Sequence, residues 1–282
     1  MKIERALVVG ACLATACFGT SQSVSNGAAS AAVADSVRID GSPALAPLAR
    51  ALADAYRVQR PSSFVTVGAG LGSRERIDAV RQGRIDIALA SQIVASELAT
   101  QGLTAHEVAK SAVVFAVNSN VPVTSLSSRQ ICDAYRGAVT NWRELGGSDL
   151  PLAVRTRPAA EVDAAIVLAG VECFRAASSS STVARVIERP EQMAAELSSV
   201  SGALGMTSMP FVEQSGGGIK ALALDGVAAD AERVRRGEYP LTRSAFLVTS
   251  TSLSSSVARF IAFVRSDAGA RVIRANGAVP LP

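Results

Sequence analysis

The chain of 282 residues is 49% hydrophobic, 18% charged and 4% aromatic, and 28 Lys and Arg against 24 Asp and Glu leave a formal charge of +4. Such apolar content excludes a disordered chain, and 22 glycines with 11 prolines are too few for a fibrous one. Scattered arginines with Lys2, Lys110 and Lys220 as the only lysines, 3 tyrosines and 1 tryptophan argue against nucleic-acid binding, and the lone His106 argues against a histidine metal site or a Ser-His-Asp triad.

Lys2 and Arg5 precede an apolar run from Ala6 to Phe18, shorter than the roughly 20 residues a bilayer needs. A small, polar stretch follows to Ala34, so residues 1–34 read as an export signal. Two exits stay open: cleavage after Ala32-Val33-Ala34, or lipidation of Cys17 within Ala14-Thr15-Ala16-Cys17, which leaves a flexible tether. The protein is therefore expected in the periplasm or cell envelope. In that setting Cys132 and Cys173 form most simply a disulfide, with two buried free thiols as the alternative.

Val37 to Ile39 alternates as a strand and stops at Gly41-Ser42-Pro43, where Ser42 fits an N-cap and Pro43 the first helical position. Leu45, Leu48, Leu52 and Tyr56 recur at helical spacing up to Pro61. Phe64 to Val67 is a predicted strand leading into the glycine-rich loop Gly68 to Ser73, followed by a short helix with Ile77 and Val80 inward. Ile85 to Ala90 reads as a strand buried on both faces of a parallel sheet. Beyond it come a strand at Val113–Val117 and a helix opened by the capping box Ser127/Gln130. A strand at Leu152–Val154, a helix at Ala160–Leu168, a serine loop at Ser178–Ser181 and strands at Gly202–Met206 and Ile219–Leu224 continue the pattern. Phe246–Thr249 is a last strand, and Ser256–Arg265 a helix with Val257, Phe260, Ile261 and Val264 inward. Strands alternating with helices make an α/β design.

From Val37 to Pro282 the chain resembles the phosphate-type (Pst-like) periplasmic solute-binding proteins of bacterial ABC importers. The landmarks are Gly41-Ser42 with Pro47, Gly70-Leu71-Gly72-Ser73, Gly83-Arg84-Ile85-Asp86-Ile87-Ala88, Thr140-Asn141-Trp142, Gly202-Ala203-Leu204-Gly205, Gly237 to Arg243, and the tail Asn276 to Leu281. The resemblance implies a two-lobed periplasmic-binding-protein fold of type II, each lobe a mixed sheet flanked by helices. Lobe 1 would comprise 35–116 and 239–282 and lobe 2 would comprise 117–238, with crossings near Phe115–Asn118 and Tyr239–Arg243. It further implies a monomer that captures phosphate or a related oxyanion between the lobes and hands it to an ABC permease, with no catalysis and no cofactor.

Helix starts suit a dehydrated oxyanion, since they offer unpaired N–H groups and a positive dipole. The ligand set implied by the resemblance is Ser42, Ala44, Leu45, Gly72, Ser73, Asp86 and Arg157, with Asp86 accepting from a protonated phosphate oxygen. Two departures from the family pattern stand out. Ala44 replaces a hydroxyl residue. Arg157 is followed by Glu161 and Asp163 where the family has a Ser-Gly-Thr helix start. Two carboxylates beside a bound anion would each cost on the order of 4 kcal/mol at ~4 Å and an effective dielectric of 20. An alternative reading is thus a degenerate member that binds another ligand or acts as a signalling or adhesion module. Tyr135, Trp142 and Tyr239 are expected in lobe cores more than in a cleft.

Overall fold

Residues 35–281 are described by a computed structural model; the expected export signal, with lipidation at Cys17 or cleavage after Ala34, lies outside the described residues. The first strand, β1 (Asp35–Gly41), runs through a 3-10 turn at Pro43–Leu45 into α1 (Ala46–Gln59). Then come β2 (Ser63–Val67), α2 (Ser73–Arg81) and β3 (Ile87–Ala90). β1 lies between β2 and β3 and parallel to both, with Ile39 opposite Val67 and Ile87. Parallel pairing follows from the crossover helices, which carry the chain back before each new strand. Alternate residues of β3 serve two cores: Ile87 and Leu89 pack with Leu48, Leu52 and Tyr56 of α1, and Ala88 and Ala90 with Val80, Leu98 and Val248.

After α3 (Ala95–Thr100) the chain enters β4 (Leu103–Asn118), 16 residues long where the sequence suggested only Val113–Val117. Its first half carries His106, Glu107 and Lys110 and lacks a continuous apolar run, so its strand signal is weak. His106 is half-buried there, with Nε2 3.1 Å from the Thr249 hydroxyl.

The second half of the molecule is built from β5 (Ser125–Leu126), α4 (Ser128–Tyr135), β6 (Ala153–Thr156), α5 (Val162–Gly170) and α6 (Phe174–Ser179). These continue into β7 (Arg185–Val186), α7 (Pro190–Ser199), β8 (Ala203–Ser208), α8 (Met209–Gln214), β9 (Ile219–Ala221), β10 (Ala223–Leu224) and α9 (Ala231–Arg236). The return passes through β11 (Thr242–Ser250), α10 (Ser255–Val264), α11 (Asp267–Ala275) and β12 (Ala278–Pro280).

β4 joins the two halves. Up to Ala112 it pairs antiparallel with β11 and β12, and from Val113 onward with β8 and β9. The partners therefore change at Ala112/Val113, a little before the crossing expected at Phe115. β6 and β8 are parallel, as are β6 and β7, so the sheet is mixed, with helices against its faces.

Three local expectations are revised. Ser42 precedes a 3-10 turn and makes no side-chain cap bond. Ser178 and Ser179 lie in the last turn of α6, because buried Phe174 and Ala177 anchor that helix despite the poor helix propensity of serine. Ile219–Leu224 is two strands, since β9 pairs with β4 and β10 with β5. The Ser127/Gln130 capping box forms as the spacing predicts.

A disulfide joins Cys132 in α4 to Cys173 at the start of α6. It borders the aromatic group of Phe115, Tyr135 and Phe174, where the last two rings lie 4.6 Å apart at 66°. Tyr135, Trp142 and Tyr239 are core residues, and each donates to a main-chain carbonyl: Arg155 at 2.7 Å, Gly202 at 2.8 Å and Val113 at 3.0 Å. Burial of an aromatic ring with its polar atom satisfied is a stable arrangement.

Candidate functional site

The carboxyl ends of β1, β2 and β3 point the same way, and ligands of open α/β sheets gather at such ends. Here β1 ends at Gly41, whose φ of +133° few other residues adopt; a Cβ would lie 2.5 Å from the Leu89 carbonyl oxygen. Asp40 ties the glycine-rich loop to this strand end, its Oδ1 accepting from the N–H groups of Gly41 at 2.7 Å and Gly70 at 2.9 Å. The loop delivers the chain to α2. Its N-cap, Gly72, has no side chain, so the first-turn N–H groups of α2 are left without a capping acceptor.

On the facing half, β6 leads through Arg157 to α5. Its N-cap, Glu161, also makes no side-chain cap bond. The starts of α2 and α5 meet across a cavity of about 360 Å³, lined by Ser73, Arg76 and Ala90 from one half and Ala160 and Val162 from the other. This is a cleft between the two halves.

The expected ligand residues are distributed unevenly around it. Ser73 lines the cavity, and its Oγ accepts from Arg76 Nη2 at 2.9 Å. Gly72 stands one residue before it. Arg157 is 5% exposed; its Nη1 donates to the Ile187 carbonyl at 2.7 Å and its Nη2 lies 3.1 Å from Glu161 Oε2, while its buried Nε has no partner. Ser42 is buried and does not line the cavity, and its N–H is taken by Leu89 O at 2.9 Å. Ala44 offers its carbonyl to Arg243 at 2.6 Å. The Leu45 side chain belongs to the core around α1.

Asp86 does not join them. It sits just ahead of β3, at the opposite end of that strand from Ala90, roughly 13 Å along at ~3.3 Å per residue. Its Oδ2 accepts the Arg38 main-chain N–H at 2.7 Å and Nε at 3.0 Å, and its Oδ1 accepts Nη2 at 2.8 Å. It lines a separate cavity with Val80, Gly83 and Thr249. Burial raises the Asp86 pKa, but the hydrogen bonds from Arg38 outweigh it and hold the carboxyl below its ordinary range. The expectation that Asp86 faces the cleft fails because a neighbouring arginine on β1 claims it.

The expected repulsion by two carboxylates is also revised. Asp163 Oδ1 lies 2.9 Å from Arg243 Nη1, with side chains 6% and 1% exposed, so its charge is already compensated. Glu161 pairs with Arg157. Neither carboxylate is free to oppose an incoming anion at full strength. Sequence reasoning missed Arg243, which reaches from β11 to Asp163 in the first turn of α5 and to the Ala44 carbonyl.

Arg76 was missed as a cleft residue in its own right. It is 7% exposed, and its bond to Ser73 is the one hydrogen bond its guanidinium makes among the described residues. Burial pushes the Arg76 pKa down, and Glu161 acts against that. Its position three residues after Ser73 places both on one helix face, a signal present in the sequence. Arg189 adds a further cross-cleft contact, Nη2 donating to Ala69 O at 3.1 Å. Among the described residues no cluster of His, Cys, Asp and Glu could hold a metal ion, and no helix is long and apolar enough to cross a membrane.

Comparison with known proteins agrees with this architecture. Residues 26–268 match the family model of the PBP superfamily domain. The phosphate-binding protein PstS of Bacillus subtilis is 27% identical over 256 residues, 87% of this chain and 81% of that one. Among solved structures, a Clostridium perfringens protein described as a phosphate ABC transporter substrate-binding protein, with bound phosphate, superposes with a TM-score of 0.71. It is 28% identical and covers 88% of this chain and all of its own. An ABC-type phosphate transport receptor from Vibrio cholerae gives 0.59 at 25% identity, covering 87% of this chain and 100% of that one. The chain belongs to the PBP superfamily, and the resemblance to Pst-like solute-binding proteins and their two-lobed fold is borne out.

Proposed function

We propose that this member of the PBP superfamily is an extracytoplasmic solute-binding protein that captures phosphate or a related small oxyanion in the cleft and passes it to an ABC permease. The observation that carries the reading is the convergence of two uncapped helix starts and the buried Arg76 on one void between the halves. N–H groups at a helix start and a guanidinium are the donors a dehydrated oxyanion needs, and the low-dielectric surroundings strengthen each bond. The relatives are binding proteins of phosphate transport, which supports the same class of ligand and partner here.

In this reading lobe 1 comprises 35–116 and 239–282 and lobe 2 comprises 117–238, and the protein acts as a monomer. Gly72, Ser73 and Arg76 contribute donors from side chain or main chain. Export uses the N-terminal signal, with retention at the membrane through Cys17 or release by cleavage after Ala34. Isothermal titration of the purified protein with inorganic phosphate, against a sulfate control, tests the ligand class. Saturable binding in the micromolar range or tighter is expected, and no saturable binding of any small oxyanion would overturn the reading.

A further inference from the structure

We propose that the protein carries a second site for a small oxyanion, separate from the cleft and built wholly within the second half of the molecule. A cavity of about 300 Å³ opens where the end of β6 meets α5, α6 and β7. Its walls come from residues 156–186 alone, and it shares no lining residue with the cavity at the start of α2. The inference therefore does not depend on the cleft reading.

Arg157 lines this second cavity with a guanidinium that is only partly used. The residue is 5% exposed; Nη1 is taken by the Ile187 carbonyl and Nη2 by Glu161, whereas the buried Nε has no partner. A buried N–H costs free energy until an acceptor meets it, and more so on a charged group. Arg175, in the first turn of α6, lines the same cavity. It is exposed, and its guanidinium makes no hydrogen bond or ion pair among the described residues. Two cationic groups thus border one void with donors to spare.

The remaining polar groups of the lining are the hydroxyls of Thr156, Ser178 and Ser179. They donate to main-chain carbonyls at 3.5, 3.3 and 3.2 Å, long bonds that a hydroxyl gives up readily for a charged acceptor. The other six lining residues are apolar, and no carboxylate is among them. Glu161 lies outside the lining and already pairs with Arg157. Apolar surroundings keep the local dielectric low and strengthen each bond to an anion. At ~30 Å³ per water the cavity holds the volume of about ten waters, room for an oxyanion with part of its hydration shell. The frame is held in advance, since buried Phe174 and Ala177 anchor α6 and the disulfide at Cys173 ties its start to α4. Little ordering is then left to oppose binding.

The test follows the Arg157 Nε–H resonance of isotope-labelled intact protein by NMR through a titration with inorganic phosphate. A saturable shift is expected. Arg175→Glu, a change at an exposed position, should weaken that response at least about tenfold, because a charge-assisted donor is replaced by a repelling carboxylate. Arg76→Ala alters the cleft and should leave the response within about twofold. No shift at saturating phosphate would overturn the inference and leave Nε to water. A shift undiminished in Arg175→Glu, or one that weakens together with cleft binding in Arg76→Ala, would show the Arg157 signal reporting on the cleft and would also overturn it. An intact Arg157 response in a protein whose cleft binds no phosphate would support this site and overturn the cleft reading alone.

Discussion

Replacing Asp163 by Asn tests the buried ion pair that ties the cleft together. The Asp163–Arg243 contact is 2.9 Å between side chains 6% and 1% exposed, so the substitution leaves the Arg243 charge in a nearly dry site. Removing one member of such a pair costs about 3–5 kcal/mol. Arg243 keeps its bond to the Ala44 carbonyl at 2.6 Å and a weaker one to Ser111 Oγ at 3.4 Å, which places the loss near the lower end of that range. For a chain of this size, ~3 kcal/mol corresponds to a melting point lower by about 6–12 °C. Thermal unfolding followed by circular dichroism measures it directly. The double replacement Asp163→Leu with Arg243→Met removes both charges and is expected to recover much of the loss. A single variant melting within about 2 °C of the parent would refute the reasoning, because the pair would then be too well hydrated to matter.

Arg76→Ala removes a charge-assisted donor worth ~1.5–3 kcal/mol, so oxyanion affinity measured by titration should fall about tenfold to a hundredfold. Reducing the Cys132–Cys173 bond opens a loop with a sequence separation of 41 and should lower unfolding stability by ~2–4 kcal/mol, read as the denaturant midpoint with and without reductant. Asp86 has a depressed folded-state pKa, so its contribution is present above the unfolded value of about 3.9 and is lost as pH falls through the folded one. Asp86→Asn should therefore lower the urea midpoint at pH 7, modestly because Arg38 is half exposed, and the gap to the parent should narrow as pH falls below the ordinary carboxylate range. The same variant should leave phosphate affinity within about twofold, since Asp86 lines a cavity separate from the cleft and a substitution away from a site changes free energy by no more than ~0.5 kcal/mol.

Much of the fold was legible along the chain because its signals are local. The helical spacing from Leu45 to Tyr56, the Ser127/Gln130 capping box and the continuous apolar run before Ala90 each declare an element from neighbours a few residues apart. So do the inward residues of α10, which recur at three and four positions. The first half of β4 was illegible for the converse reason. Residues Leu103 to Ala112 form a strand because β11 and β12 supply partners more than 100 residues later, and no local apolar pattern records that. The serines ending α6 were likewise recruited by the burial of Phe174, which local propensity opposes.

The cleft divides along the same line. Residue types suited to an oxyanion and the helix starts at Ser73 and Glu161 are written in the chain before it folds. Which charges remain available is a property of the folded molecule, since it depends on who reaches whom in three dimensions. Asp86 is taken by Arg38 across a parallel strand pair, Asp163 by Arg243 from 80 positions away, and Arg76 is left with most of its donors free. Electrostatic pairing falls off over a few ångströms whereas sequence separation does not limit it, so only the packed structure could assign those partners.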